Sequence, residues 1–335
     1  MKSRQGILEG PYMLKKFLDK KEHTKRFTAL FTLILCLLTA CGKQTMNAQQ
    51  DSSTVIGAND KKKDHSKCTL DSFEQPENGK GQVVFEGKKH GYILHLPECE
   101  DNAPLVVMLH GYGESAESFC QKTNFEREAN AKGYAVVYIT GLPTPEDPTS
   151  AAGWNSGIGI SSNNDVDFLC AFVNDLCKIY SFDRTRIYAV GFSNGAFMTH
   201  RLAIEANDIF AAIVSVAGMM PAKMWEDKPE KCEIGVFQIT GEKDDVVPKD
   251  YDGSSKYSKA PAIETVIEYY VKINGLSHED RSVVGKKSTL EKYSSLNSTK
   301  QVWSLFIPDG RHSWPDEQIV GFNVNNLIID FLETQ

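Results

Sequence analysis

The chain has 335 residues, 41% apolar and 24% charged, a composition that excludes disordered and fibrous classes. That length holds one large α/β domain or two small ones. A formal net charge of −7 argues against nucleic acid as a partner.

Residues 1–40 have the layout of an export signal. Lys15, Lys16, Lys20, Lys21, Lys25 and Arg26 precede the apolar run Phe27–Ala40, which is too short to span a bilayer as a stable helix. The run ends in Leu38-Thr39-Ala40-Cys41, which resembles a bacterial lipobox and implies cleavage before Cys41 and lipid attachment to it. The expected product is a membrane-anchored lipoprotein, periplasmic or at the cell surface. An ordinary signal peptide is the alternative, and Met13 is a second candidate start. Without residues 1–40 the chain keeps 29 basic and 41 acidic residues, a net charge of −12. Residues 41–80 are expected to be a flexible tether and N-terminal extension, polar from Gly42 to about Lys67.

From residue 81 to the end, strands and helices alternate. Gln82–Phe85 and Tyr92–His95 flank a turn at 87–91 and read as an antiparallel hairpin. Leu105–Leu109, Ala135–Tyr138, Ile187–Val190, Ala211–Val214, Ile234–Ile239 and Val302–Phe306 are continuous apolar runs, as expected of strands buried on both faces. Helical periodicity covers Val166–Tyr180, Ala262–Ile273 and Asn323–Leu332, and the stretch Ala196–Ala206 reads as a further helix. This alternation predicts parallel βαβ units in one doubly wound α/β domain over residues 81–335.

Cys68, Cys99, Cys120, Cys170, Cys177 and Cys232 lie beyond the signal, compatible with up to three disulfides after export. Cys170 and Cys177 are seven residues apart on one predicted helix, about 10 Å, too far for a bridge. No Cys-x-x-Cys pair or histidine cluster suggests a zinc site, so no metal is expected.

Gly191-Phe192-Ser193-Asn194-Gly195 sits between a predicted strand and a predicted helix. That is the setting of a nucleophile elbow, in which the serine backbone is strained and side chains at the flanking glycines would collide with neighbours. A serine hydroxyl needs a histidine base held by a carboxylate, in the chain order serine, acid, histidine. His312 lies in a loop between the last strand and the last helix, whereas His278 lies in a polar turn, so His312 is the expected base. Just past Ile234–Ile239, Glu242, Asp244 and Asp245 are all possible acids, and spacing alone does not separate them. The expected oxyanion donors are the backbone N–H groups of Asn194 and of Tyr112, in the segment His110-Gly111-Tyr112-Gly113. His110 precedes the serine and reads as a loop-orienting residue.

His110-Gly111-Tyr112, Gly191–Ala196, Gly241–Pro248 and His312-Ser313-Trp314-Pro315 together resemble one family over residues 80–335. This is the α/β-hydrolase family of polyhydroxybutyrate depolymerases and feruloyl esterases, grouped with acetyl xylan esterases. Aligning Val246-Val247-Pro248 with the family's acid loop implies that Asp244 is the acid. Thr240 departs from the histidine usual there. The resemblance further implies a tryptophan segment, Ala152-Gly153-Trp154-Asn155, with Trp154 walling the substrate cleft or packing in the core. It implies ester hydrolysis without metal or organic cofactor. The expected substrate is a feruloyl or acetyl ester on plant polysaccharide, because no polymer-binding module follows the last helix. Polyhydroxybutyrate depolymerisation is the alternative, with an acyltransferase, a peptidase or a non-catalytic binding protein as readings from other classes. No protein partner is implied.

Overall fold

A computed structural model describes residues 63–249 and 259–335. The signal segment and Cys41 lie outside the described residues. These fall in one compact unit bounded by Lys61 and Gln335. Among them, no helix is long and apolar enough to cross a membrane.

In chain order the strands are β1 (Ser72–Phe73), β2 (Lys80–Phe85), β3 (Lys88–His95), β4 (Leu105–Leu109), β5 (Ala135–Ile139), β6 (Ile187–Phe192), β7 (Ala212–Val216), β8 (Gly235–Gly241), β9 (His278–Val284), β10 (Ser288–Ser294) and β11 (Val302–Ile307). The helices are α1 (Ala116–Thr123), α2 (Phe125–Ala131), α3 (Asp165–Tyr180), α4 (Asn194–Glu205), α5 (Ala222–Glu226), α6 (Ile263–Ile273), α7 (Glu317–Val320) and α8 (Val324–Leu332). All the strands join one sheet in the order β1-β2-β3-β5-β4-β6-β7-β8-β11-β10-β9. Pairing is parallel from β5 through β11 and antiparallel at both flanks.

The expected doubly wound α/β architecture is therefore present. Every residue of β4 to β8 is buried, as continuous apolar runs require when helices cover both faces. Strand alternation divides the core. Val107 and Leu109 join Phe172, Met198 and Tyr270 on one face, and Val106 and Met108 join Phe119, Phe125 and Phe331 on the other. β5 and β6 lie on opposite sides of β4, so the winding reverses there. A crevice opens at such a reversal, beyond the carboxyl ends of the strands.

Three features depart from expectation. Residues 63–80 pack on the domain, so the structured part starts ahead of the boundary at residue 81. His65 is buried, with its backbone N–H and Nδ1 on the Asp208 carboxylate, and Phe73 stacks on Phe172. Second, α1 and α2 occupy a stretch where no helix was expected. Third, β9 and β10 form a hairpin, and His278 begins β9 instead of lying in a turn. The sequence HEDRSVV of β9 is mostly exposed, so it lacks the apolar signal of a buried strand. None of Cys68, Cys99, Cys120, Cys170 and Cys177 forms a disulfide.

Candidate active site

β6 runs straight into the elbow. Ser193 adopts φ 51° and ψ −117°, a left-handed conformation that costs a non-glycine residue about 1–3 kcal/mol. Its N–H donates to Val216 O at 3.0 Å, tying the turn to β7. The glycines are fixed by contact. A Cβ on Gly191 would lie 2.2 Å from Gly195 O, and one on Gly195 would lie 2.0 Å from Leu109 O. A side chain at Gly191 would force the turn open against the start of α4, and one at Gly195 would push the elbow away from β4.

The loops after β8 and β11 bring the two partners. His312 Nε2 accepts from Ser193 Oγ at 2.9 Å, and His312 Nδ1 donates to Asp244 Oδ2 at 2.8 Å. The other carboxylate oxygen, Oδ1, accepts the N–H groups of Val246 (2.9 Å) and Val247 (2.8 Å). Asp244 is thus buried and held on both oxygens, while Asp245 and Glu242 face solvent. Of the three acids that spacing left open, Asp244 is the one whose carboxylate meets His312. His278 is exposed on the β9 edge and takes no part. The Phe192 ring lies 5.3 Å from the His312 ring, centroid to centroid.

The loop after β4 approaches the serine from the other side. His110 is fully buried, and Gly141 N–H donates to its Nε2 at 2.9 Å. The ring proton therefore sits on Nδ1, which donates to Gly111 O at 2.7 Å. Burial lowers the His110 pKa to about 4, so this ring stays neutral and works as a brace, the orienting role expected from its position. Gly111 N–H donates to Glu114 Oε2 at 3.0 Å, and Gly113 N–H to Ala152 O at 2.7 Å. Between these anchored residues lies Tyr112, with its side chain 45% exposed. Asn194 opens α4, where a helix leaves its first N–H groups without intrahelical acceptors.

Trp154 does not wall the cleft. It is wholly buried, and its indole N–H donates to His110 O at 3.0 Å. Its backbone N–H donates to Asn194 Oδ1 (2.7 Å), and Asn194 Nδ2 donates back to Trp154 O (3.2 Å) and to Ser156 Oγ (2.9 Å). Trp154 therefore locks the loop after β4 to the elbow from beneath. Gly153 lies close beside it, where a Cβ would meet the Tyr112 ring at 2.8 Å and Asn194 Oδ1 at 3.0 Å. Sequence reasoning missed the bracing roles of Glu114 and of the Asn194 side chain. The three-residue spacing from Gly111 to Glu114 is a local signal that could have found the first of these.

The model of a family described as Esterase PHB depolymerase matches residues 90–229. A protein named putative esterase NocK, from Nocardia uniformis subsp. tsuyamanensis, is 30% identical over 70% of this chain and 73% of its own length. Feruloyl esterase B of Thermothelomyces thermophilus is 28% identical over 38% of this chain, and the match spans 43% of that protein. The solved acetyl xylan esterase from Aspergillus awamori superimposes with a TM-score of 0.53 at 12% identity, over 73% of this chain and 94% of that one, a likeness of fold.

Proposed function

The chain belongs to the polyhydroxybutyrate-depolymerase family of α/β-hydrolase esterases and is a carboxylic ester hydrolase, and on that premise we propose that Ser193, His312 and Asp244 are its catalytic triad. The observation that carries this reading is the unbroken pair of hydrogen bonds from Ser193 through His312 to Asp244, built on a strained elbow. His312 Nε2 takes the Ser193 proton as Oγ attacks the ester carbonyl. Asp244 holds the ring in the tautomer that leaves Nε2 free to accept and stabilises the imidazolium that follows. The N–H groups of Asn194 and Tyr112 receive the oxyanion; one donor of this kind is worth about 10²–10³ in kcat. His312 then protonates the departing alcohol, and water hydrolyses the acyl-enzyme by the same steps.

The substrate in this reading is a feruloyl or acetyl ester of plant polysaccharide. It draws support from the sequence relative named feruloyl esterase. Cys41 carries lipid, and the enzyme works from a membrane surface in the periplasm or outside the cell; the basic-apolar-Cys41 pattern of the N-terminus supports this. Purified protein assayed on methyl ferulate, acetylated xylan and short hydroxybutyrate esters tests the substrate. Faster turnover of the first two is expected, and predominance of the hydroxybutyrates would replace this reading with the depolymerase one.

A further inference from the structure

Away from the triad, the end of β3 meets the short helices α1 and α2. His95 closes β3, Cys120 lies in α1 and Glu126 lies in the first turn of α2. One ligand atom from each, an imidazole nitrogen, a thiol sulfur and a carboxylate oxygen, lies within 4.8 Å of the other two, and all three residues are half-buried. Cys120 Sγ is 3.7 Å from His95 Nε2. That separation fits a thiol–imidazole hydrogen bond, and it equally suits two ligands of one ion. Tetrahedral zinc, with Zn–S about 2.3 Å and Zn–N about 2.0–2.1 Å, sets sulfur and nitrogen roughly 3.6 Å apart.

The surroundings orient these groups. Tyr138 Oη donates to Glu126 Oε2 at 2.7 Å, leaving Oε1 for another partner. Tyr138 is itself fixed by the N–H of Phe125 (3.1 Å) and by Thr123 Oγ1 (3.1 Å). Its ring stands edge-on to His95. Asn130 Nδ2 donates to the His95 carbonyl at 3.3 Å. A ligand carboxylate held by a further hydrogen bond is the usual outer support of a metal site. The sequence offered no such hint, because the three residues come from separate elements without Cys-x-x-Cys spacing.

We infer that His95, Cys120 and Glu126 form a binding site for a thiophilic divalent transition-metal ion of the zinc type, with a fourth position open to solvent. The mixed nitrogen, sulfur and oxygen set favours such an ion over magnesium or calcium, which take oxygen ligands. A bound ion would join α1 and α2 to β3, the antiparallel strand beside the parallel part of the sheet. The site stands apart from the ester-hydrolysis reading, since none of its residues belongs to the triad or the oxyanion loop.

Cobalt and zinc titrations of the purified full-length protein test the proposal. Co²⁺ is expected to give a thiolate-to-metal charge-transfer band that Zn²⁺ abolishes by displacement. Cys120→Ser should remove the band and weaken Zn²⁺ binding at least tenfold by calorimetry, with ester hydrolysis unchanged as proof of folding. Glu126→Gln, which keeps the shape and the acceptor for Tyr138 but removes a charged ligand, should weaken Zn²⁺ at least tenfold. Co²⁺ binding without a thiolate band, or unchanged Zn²⁺ affinity in either folded variant, would overturn the proposal.

Discussion

The centre of the sheet and its β9–β10 flank obey different rules. At the centre, backbone approaches backbone so closely that even a methyl group at Gly191 or Gly195 finds no room. At the flank, β9 is mostly exposed and pairs through its backbone with β10, one strand further from the parallel core. Parallel strands buried on both faces lock the ends from which catalytic loops emerge, and an antiparallel edge strand tolerates polar residues because half of it meets water. The proposed triad sits where the backbone has least freedom.

The largest contrast expected lies within one loop. Asp244→Asn should lower kcat by about 10⁴-fold, the effect of upsetting the tautomer of the base, whereas the exposed neighbour Asp245→Asn should change it less than about twofold. Steady-state kinetics on an aryl acetate measures both. Equal losses would mean that burial and the two N–H bonds do not single out Asp244.

Stability should divide in the same way. Gly195→Ala forces a Cβ onto Leu109 O and is expected to cost about 1–3 kcal/mol, the range for overpacking a core. Val283→Thr on β9, where the side chain is 72% exposed, should stay within about 0.5 kcal/mol. Urea unfolding of both variants checks this, and similar losses would break the contrast between centre and flank.

A smaller effect should appear with pH. Burial lowers the pKa of His110 from 6.5 to about 4, and His90 and His200 share that direction and cause. Above pH 6.5 these rings are neutral in both folded and unfolded chains. As pH falls from 6.5 towards 4, only the unfolded chain takes up the proton, so stability declines by up to about 1.4 kcal/mol per pH unit for each ring. His110→Gln should flatten this decline, measured as unfolding free energy against pH. An unchanged slope would show that His110 titrates normally.

What could be read from the sequence follows the same division. The apolar runs from Leu105 to Leu109 and from Ile187 to Val190 announced buried strands, and the glycines around Ser193 announced the elbow. Asp244 needed the resemblance, because its distinction from Asp245 is burial and two backbone hydrogen bonds, neither of them written in local spacing. Trp154 illustrates a second limit. Its place near the site was legible, but not the direction of its ring, which depends on His110 O and Asn194 being brought to it by the fold. The polar strand β9 was hidden for the reason that it is exposed.

The central claim is that Ser193 is a nucleophile activated by His312. Labelling the folded protein with a fluorophosphonate, followed by peptide mass mapping, tests it most directly. One adduct per chain on Ser193 is expected, with labelling reduced by orders of magnitude in His312→Ala. An unlabelled Ser193 in folded protein, or equal labelling in the two proteins, would contradict it.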